Sequence, residues 1–208
     1  MELKPNQVRL MMIQVADAVI TAEPLLSQAD RDLGDGDHGL GMARGMEAVK
    51  TQLEKLDPAS VEQVFVTAGT AMMSSMGGAS GALFGTLFRA GGKALAGRPV
   101  LDSQGLSLFL EAALEGVMKR GGAKPGDKTM IDALAPAAGE AGNVMDQPLP
   151  QALAAVAAAA EAGKDASKIM VAQFGRAKTL GDACIGFPDA GALSVTVILA
   201  TMRDFVGV

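Results

Sequence analysis

The sequence predicts an all-α fold, an up-and-down barrel or bundle of about eight helices in a single domain covering residues 1–208. Apolar residues recur at spacings of three and four in almost every segment between glycine clusters, as on the buried face of a helix. Capping residues precede several of these segments, and glycines follow them. No linker or repeat of 20–50 residues divides the chain.

The first helix is predicted to begin at Pro5, which suits the first position of a helix, and it continues through Val8, Met12, Val15 and Val19. The last stretch, 191–205, is rich in β-branched residues, and its helical neighbours favour a helix over a strand. The other predicted helices cover 39–56, 60–75, 81–95, 104–120, 128–142, 149–162 and 165–175.

Helix boundaries are also predicted from capping residues. Ser60 and Gln63 form a capping box. Ser80 and Ser103 are predicted N-caps, and the helix that follows Ser103 should stop at the glycine pair 121–122.

Composition excludes several functions. The net charge is −5 and there is no Trp or Tyr, which argues against a nucleic-acid surface. No apolar run reaches the roughly 18 residues of a membrane span. The single Cys184 excludes an internal disulfide, and the first residues do not form a secretory signal, so we expect a cytoplasmic protein.

Chemistry-bearing residues concentrate in four turns: the first loop (30–41), the second loop (76–81), the third loop (121–129) and the fourth loop (175–191). Alternate turns of an up-and-down bundle lie at the same end. We therefore expect the four loops to meet there.

The first loop, DRDLGDGDHGLG, places Asp30, Asp35 and Asp37 close together, with glycines that free the backbone. Clustered carboxylates repel each other unless a divalent cation neutralises them, and Mg²⁺ prefers such oxygen ligands. A solvated acidic turn is the alternative. The spacing does not fit an EF-hand, and the preceding segment is not the apolar strand of an aspartyl phosphatase. His38 suits a phosphate contact or local hydrogen bonding better than catalysis, and metal ligation least.

The second loop, SSMGGASG, precedes an apolar helix, so its backbone amides could bind an anion; a close helix crossing is the alternative. The third loop, GGAKPGDKT, resembles a phosphate-binding P-loop but lacks the preceding strand, so it stays only a candidate nucleotide contact. The fourth loop contains Arg176, whose forked guanidinium suits a phosphate group. It also contains Asp189, within a Pro-Asp-x-Gly turn. Together the four loops indicate a Mg²⁺–nucleotide site.

Four motifs in order, GDGDHG, GGASGALFG, KPGDKTM and the GRA…LG…G.PD.GA pattern, resemble the nucleotide-binding L subunit of dihydroxyacetone kinase over residues 5–205. The resemblance implies an antiparallel eight-helix barrel with the nucleotide at one end. It implies that Asp30, Asp35 and Asp37 hold two Mg²⁺ ions. It also implies nucleotide contacts, with ADP or ATP, from His38, Gly39, Leu40, Gly41, Ala79, Ser80, Gly121, Met130, Arg176, Asp189, Ala190 and Gly191.

The resemblance further implies a partner, because the family's ketose is bound covalently by a histidine of a separate K subunit, and His38 is the only histidine here. This chain would be a kinase subunit that is active only with that partner, and we expect it to be a homodimer. The phosphate donor stays open between exchangeable ATP and a phosphoprotein of the phosphotransferase system, the M subunit. A nucleotide-loaded regulatory module that binds a transcription regulator is the alternative function.

The chain departs from the family pattern at three places. Gly41 replaces a frequent Asn, TLGDAC replaces YLGERS, and GFPDAGA replaces GHPDPGA. The last two changes lie in the fourth loop, where substrate and partner would approach. The expected acceptor is therefore dihydroxyacetone or a related small ketose, such as a tetrulose or a branched-sugar derivative.

Overall fold

A computed structural model describes residues 1–207, which form nine α-helices and two 3₁₀ segments, Ser167–Ile169 and Arg176–Cys184. The helices are α1 (Pro5–Thr21), α2 (Glu23–Arg31), α3 (His38–Glu54), α4 (Val61–Ser75), α5 (Gly78–Lys93), α6 (Ser103–Gly121), α7 (Ile131–Asn143), α8 (Leu149–Ala166) and α9 (Ala190–Phe205).

Eight of these helices form a closed ring. From α3 to α9 each helix packs against the next along the chain, α1 packs against α3, and α9 returns to α1. The short α2 lies outside this succession, against α3 and α9. The predicted all-α, eight-helix barrel is therefore confirmed, with α2 as an additional ninth helix.

The additional helix arises at Pro24. This residue lacks an amide hydrogen, so it cannot bond to the carbonyl of Ile20, and α1 gives way to α2 with a bend of 52°. Helix α2 ends at Arg31 and so includes Asp30, the first residue of the first loop. No single helix in residues 1–207 is long and apolar enough to cross a membrane, although the bent pair α1–α2 passes on length and composition together.

The prediction of a separate helix over 165–175 was wrong. Helix α8 continues to Ala166, and only the 3₁₀ turn at Ser167–Ile169 follows it. Beyond that turn the amide of Gln173 bonds to the carbonyl of Asp127 in the third loop, and Gly175 has φ of 65°. The backbone is already extended at Met170, and no helix forms over 171–175. The prediction of a helix over 191–205 was right, because α9 spans it.

The capping predictions had mixed outcomes. Only half of the predicted capping box forms: Ser60 caps α4 by accepting the amide hydrogen of Gln63 at 3.1 Å, but the Gln63 side chain accepts the amide hydrogen of Ala59 at 2.9 Å and not that of Ser60. The predicted N-caps Ser80 and Ser103 were wrong, because both lie within the first turn of their helices. A glycine at position 77 precedes α5, and Asp102 caps α6 through the amide of residue 105. Helix α6 ends at the glycine pair, as predicted.

Helices α4 and α5 approach each other through glycines. A Cβ atom at Gly69 would lie 2.5 Å from the carbonyl oxygen of Gly85 and 2.7 Å from the amide nitrogen of Arg89. Both atoms belong to the backbone and cannot rotate away. The approach therefore requires glycine at position 69.

Replacing Gly69 by alanine should lower the free energy of unfolding by about 1–3 kcal/mol, the usual cost of overpacking a core. The matched control is Gly139→Ala in α7, where no atom lies within 4 Å of the added Cβ. That change should instead stabilise the protein by about 0.5–1 kcal/mol, because glycine is a poor helix former. Denaturant unfolding of both variants measures the difference. Equal stability of the two would contradict the close approach.

Candidate functional site

The four loops meet at one end of the barrel around a cavity of about 900 Å³. They follow the bent pair α1–α2, then α4, α6 and α8, which are every second member of the ring when α2 is counted with α1, so an up-and-down path brings the loops to the same end. The predicted convergence is confirmed. All but one of the predicted site residues line this cavity: Asp30, Asp35, Asp37, His38, Leu40, Gly41, Ala79, Ser80, Gly121, Met130, Arg176, Asp189, Ala190 and Gly191.

Gly39 is the exception. It is buried, and a Cβ at this position would collide with the backbone of α2 at Glu23 and Ser27. Its position shows a packing role, in which α3 approaches α2 closely. This contact fixes the start of α3 beside the first loop.

The three aspartates form a compact cluster. One carboxylate oxygen from each of Asp30, Asp35 and Asp37 lies within 4.8 Å of the others. Asp30 also accepts the amide hydrogen of His38 at 3.2 Å, which ties the end of α2 to the start of α3. Arg176 of the fourth loop forms an ion pair with Asp35.

This cluster fits a divalent cation. Oxygen ligands around Mg²⁺ lie about 2.1 Å from the ion, so oxygens on opposite sides are about 4.2 Å apart, close to the spacing of the cluster. The guanidinium of Arg176 already serves as a neutralising cation at Asp35, as expected for clustered negative charge. The donor set, three carboxylates and no sulfur, suits Mg²⁺.

The ring of His38 is used for local hydrogen bonds. It is only 8% exposed, and its Nε2 lies 2.8 Å from the Ser194 hydroxyl, while Nδ1 lies 3.4 Å from that of Ser80. Burial lowers the pKa of His38, against the opposing effect of Asp30 and Asp37. A ring so held links α3 to α5 and α9.

The glycines of the second loop differ in their surroundings. A Cβ at Gly77 or Gly78 would meet no atom within 4 Å, and Gly78 has φ of 69°. Since the first amides of a helix have no acceptor within it, the N-terminus of α5 offers donors to the cavity beside Ala79. Gly81, in contrast, packs tightly, because its Cβ would lie 2.5 Å from the Met76 carbonyl.

The third loop is shaped by a carboxylate. Asp132 accepts the amide hydrogens of Gly126 at 2.5 Å and Thr129 at 2.7 Å. The loop follows a helix, as predicted, and its Lys128 is buried against two backbone carbonyls. A P-loop lysine would extend toward phosphate, so rejecting that motif was correct.

The fourth loop ends at the N-terminus of α9. Asp189 caps this helix by accepting the amide hydrogen of Ala192 at 2.8 Å. Burial raises the pKa of Asp189 to about 6, an effect that its bond to Ala192 and the nearby Lys128 oppose. A Cβ at Gly191 would lie 3.1 Å from that of Met130, so the third and fourth loops are in close contact here.

A small second core lies beneath the loops. Leu33 of the first loop packs with Ala172 and Cys184, apart from the main core of the barrel. The amide of Ala172 also donates to the sulfur of Cys184 at 3.3 Å. The first and fourth loops are thereby joined by their own apolar contacts.

Sequence reasoning missed several residues that line the cavity, among them Arg44, Arg120 and Lys128. Arg44 lies three residues after Gly41, on the same face of α3, and this spacing could have identified it. Arg120 directly precedes Gly121. The two arginines add positive charge to a cavity that also contains the three aspartates.

The fold and the site define a helical domain that presents a carboxylate cluster, arginines and two helix N-termini to one cavity, a combination suited to a polyanion with divalent cations. Residues 32–204 match the DAK2 domain. The chain therefore belongs to the DAK2 domain family, in its DhaL group.

Relatives are similar over most of the chain. The ADP-binding subunit DhaL of PEP-dependent dihydroxyacetone kinase 1 from Listeria innocua is 40% identical, over 86% of this chain and 85% of its own. The corresponding subunit from Escherichia coli is 35% identical, over 96% of both chains. A D-erythrulose kinase from Mycolicibacterium smegmatis is 35% identical, over 92% of this chain and 34% of its own.

Solved structures share the fold. The native dihydroxyacetone kinase of C. freundii matches 98% of this chain with a TM-score of 0.77 and 27% identity. The same kinase in complex with AMP-PNP and Mg²⁺ matches 95% with a TM-score of 0.72 and 28% identity. This chain spans about a third of each of those chains, 35% and 33%. The named relatives are kinases or kinase subunits, which identifies the family as phosphotransferases.

Proposed function

We propose that this chain is the nucleotide-binding subunit of a small-ketose kinase, and that it holds ADP or ATP with two Mg²⁺ ions in the cavity. The observation that carries the proposal is the meeting of the aspartate cluster with two glycine-rich helix N-termini around one cavity. The complex of the related C. freundii kinase with AMP-PNP and Mg²⁺ supports it.

The carboxylates of Asp30, Asp35 and Asp37 would hold the metal ions. When bound, Mg²⁺ neutralises phosphate charge, which is most of what phosphoryl transfer requires of a protein site. The N-termini of α5 and α9, at Ala79–Ser80 and Ala190–Gly191, would donate amide hydrogens to phosphate oxygens. Arg176 has the planar fork that suits a phosphate.

Gly121 and Met130 are proposed to contact the rest of the nucleotide, and Leu40 and Gly41 the phosphates. All four line the cavity. Gly39 is proposed to contribute only through its backbone, because the packing of α2 leaves no space at its Cα.

The ketose would be held elsewhere, on a K subunit that binds it covalently through a histidine. The only histidine of this chain, His38, is almost fully buried and already bonded to two serine hydroxyls. Residues 169–187, which include most of the fourth loop, expose a set of apolar side chains, of which Phe174 lines the cavity, and this supports a partner surface there: Ile169, Phe174, Leu180, Ile185 and Phe187.

The proposed acceptor is dihydroxyacetone or a tetrulose. Relatives named as dihydroxyacetone kinase subunits and as erythrulose kinases are 32–40% identical to this chain, so both acceptors occur among its relatives. For the donor we propose a phosphoprotein, the M subunit, acting on a resident ADP, because the two DhaL relatives belong to PEP-dependent kinases. We also propose, from the family resemblance alone, that the protein forms a homodimer and that it lies in the cytoplasm.

A resident ADP should survive purification. We expect the protein to retain close to one ADP per chain after dialysis in Mg²⁺ buffer, measured by chromatography of the acid-released nucleotide. Dialysis with a chelator should release it and lower the melting temperature, because a ligand at a thousandfold excess over its Kd contributes about 4 kcal/mol. Adding both ADP and Mg²⁺ should restore the melting temperature.

Exchange of the bound nucleotide against labelled ATP within minutes would favour ATP as the donor. A melting curve that neither chelation nor added Mg²⁺–ADP changes would contradict the nucleotide site. Tight ADP binding without any turnover in the presence of a K subunit would favour the regulatory alternative, a module that binds a transcription regulator.

A further inference from the structure

Lys128 combines two unfavourable features. It is the only non-glycine residue with positive φ, 58°, in the part of the chain that the structure describes. It is also the only lysine or arginine among residues 1–207 that is buried, with 2% exposure. A side chain in the left-handed region and an ammonium group removed from water are both costly, and such features persist where the surrounding structure requires them.

The contacts of the ammonium group indicate that requirement. Nζ donates to the carbonyl of Ser167 at 2.5 Å and to that of Phe187 at 2.7 Å. These carbonyls stand near the two ends of the segment 167–189, which connects α8 to α9 and contains Arg176. A single side chain of the third loop therefore fixes both ends of this segment.

The hydrogen bonds continue to the cavity. The Ser167 hydroxyl accepts the amide hydrogen of Asp189 at 3.0 Å, and Asp189 caps α9 at the cavity wall. The neighbouring residue Asp127 adds a second tie, since its carbonyl accepts the amide hydrogen of Gln173 at 3.0 Å. The third loop thus holds the segment at its start, at Gln173 and near its end.

We propose that Lys128 is a positioning residue, which holds the segment 167–189 against the third loop so that Arg176 and the N-terminus of α9 face the cavity. At least two of its three N–H donors go to backbone carbonyls, so it acts through the segment. A lysine stands here although its positive φ would by conformation alone favour glycine.

Trypsin cleavage tests this in the ligand-free protein, because Arg176 and Lys178 are exposed on the segment. Lys128→Met keeps the length of the side chain and removes the ammonium. Losing two charge-assisted hydrogen bonds should raise the cleavage rate after Arg176 and Lys178 about tenfold or more. Lys128→Gln, which retains N–H donors, should give an intermediate rate. Lys124→Met, a substitution at an exposed lysine of the same loop, should stay within about twofold of wild type.

The second readout rests on the proposed nucleotide function. Release of Mg²⁺–ADP from Lys128→Met should be about tenfold faster, while the Lys124→Met control releases it at the wild-type rate. Failure of wild-type protein to bind Mg²⁺–ADP would reject the proposed function and leave the cleavage comparison intact. Cleavage of Lys128→Met within twofold of wild type would overturn the positioning role. If Lys128→Met does not fold, Lys128→Gln decides by the same measurement.

Discussion

Replacing Asp35 or Asp37 by asparagine should weaken Mg²⁺–nucleotide binding about a hundredfold, with little change in helix content. Removing one partner from a buried charge pair costs about 3–5 kcal/mol, and this cluster is partly exposed, which points to the lower end. The loss should be large because the remaining carboxylates no longer balance the cations. Helix content should persist, since both residues lie outside the helices.

The matched control is Asp32→Asn. Asp32 lies in the same loop, but it is outside the cluster and bonds to the side chain of Gln28 at 2.9 Å. Calorimetric titration with Mg²⁺–ADP measures all three variants. Wild-type affinity in both Asp35→Asn and Asp37→Asn would exclude the aspartates as metal ligands.

The isolated chain should have negligible ketose kinase activity and gain it when a K-type subunit is added. Phosphoryl transfer requires the acceptor hydroxyl in line with the phosphorus, and holding two reactants in place is equivalent to about 10⁵ M or more of reactant. Losing that positioning should lower the rate by about five orders of magnitude. His38 cannot supply it, because its ring is buried among Ser80 and Ser194.

A mixing assay with dihydroxyacetone, erythrulose and related ketoses measures the kinase activity of the chain alone and of the chain with the K-type subunit. The control is the Asp35→Asn chain with the same K subunit, which should be inactive. Robust phosphorylation of a ketose by this chain alone would place the acceptor site within it and reject the separate subunit.

Periodicity was enough to predict the barrel helices and the end at which the loops meet. It assigned no separate helix between Val19 and the first loop, where α2 begins at the bend made by Pro24. It also predicted a separate helix over 165–175, where the backbone leaves the helical conformation at Met170 and the amide of Gln173 bonds to the third loop. Both errors arise where a tertiary hydrogen bond, or the amide hydrogen that proline lacks, overrides the helical preference of the local sequence.

The aspartates were accessible to sequence reasoning because clustered charge in a glycine-rich turn is rare in itself. Lys128 was not accessible. Its two acceptors lie 39 and 59 residues further along the chain, and nothing local distinguishes a buried lysine in a turn from a solvated one. Its role depends on loops that only the closed barrel brings together.

The separate small core of Leu33, Ala172 and Cys184 has a consequence for how such chains diversify. Because these residues pack with each other and apart from the main core, we expect substitutions among them and their neighbours in the first and fourth loops to change the stability of the barrel little. Substitutions in these loops could then change which ligand or partner they bind while the helices of the barrel stay intact. Such modularity is consistent with one helical framework serving relatives named for dihydroxyacetone, for erythrulose and as triokinase.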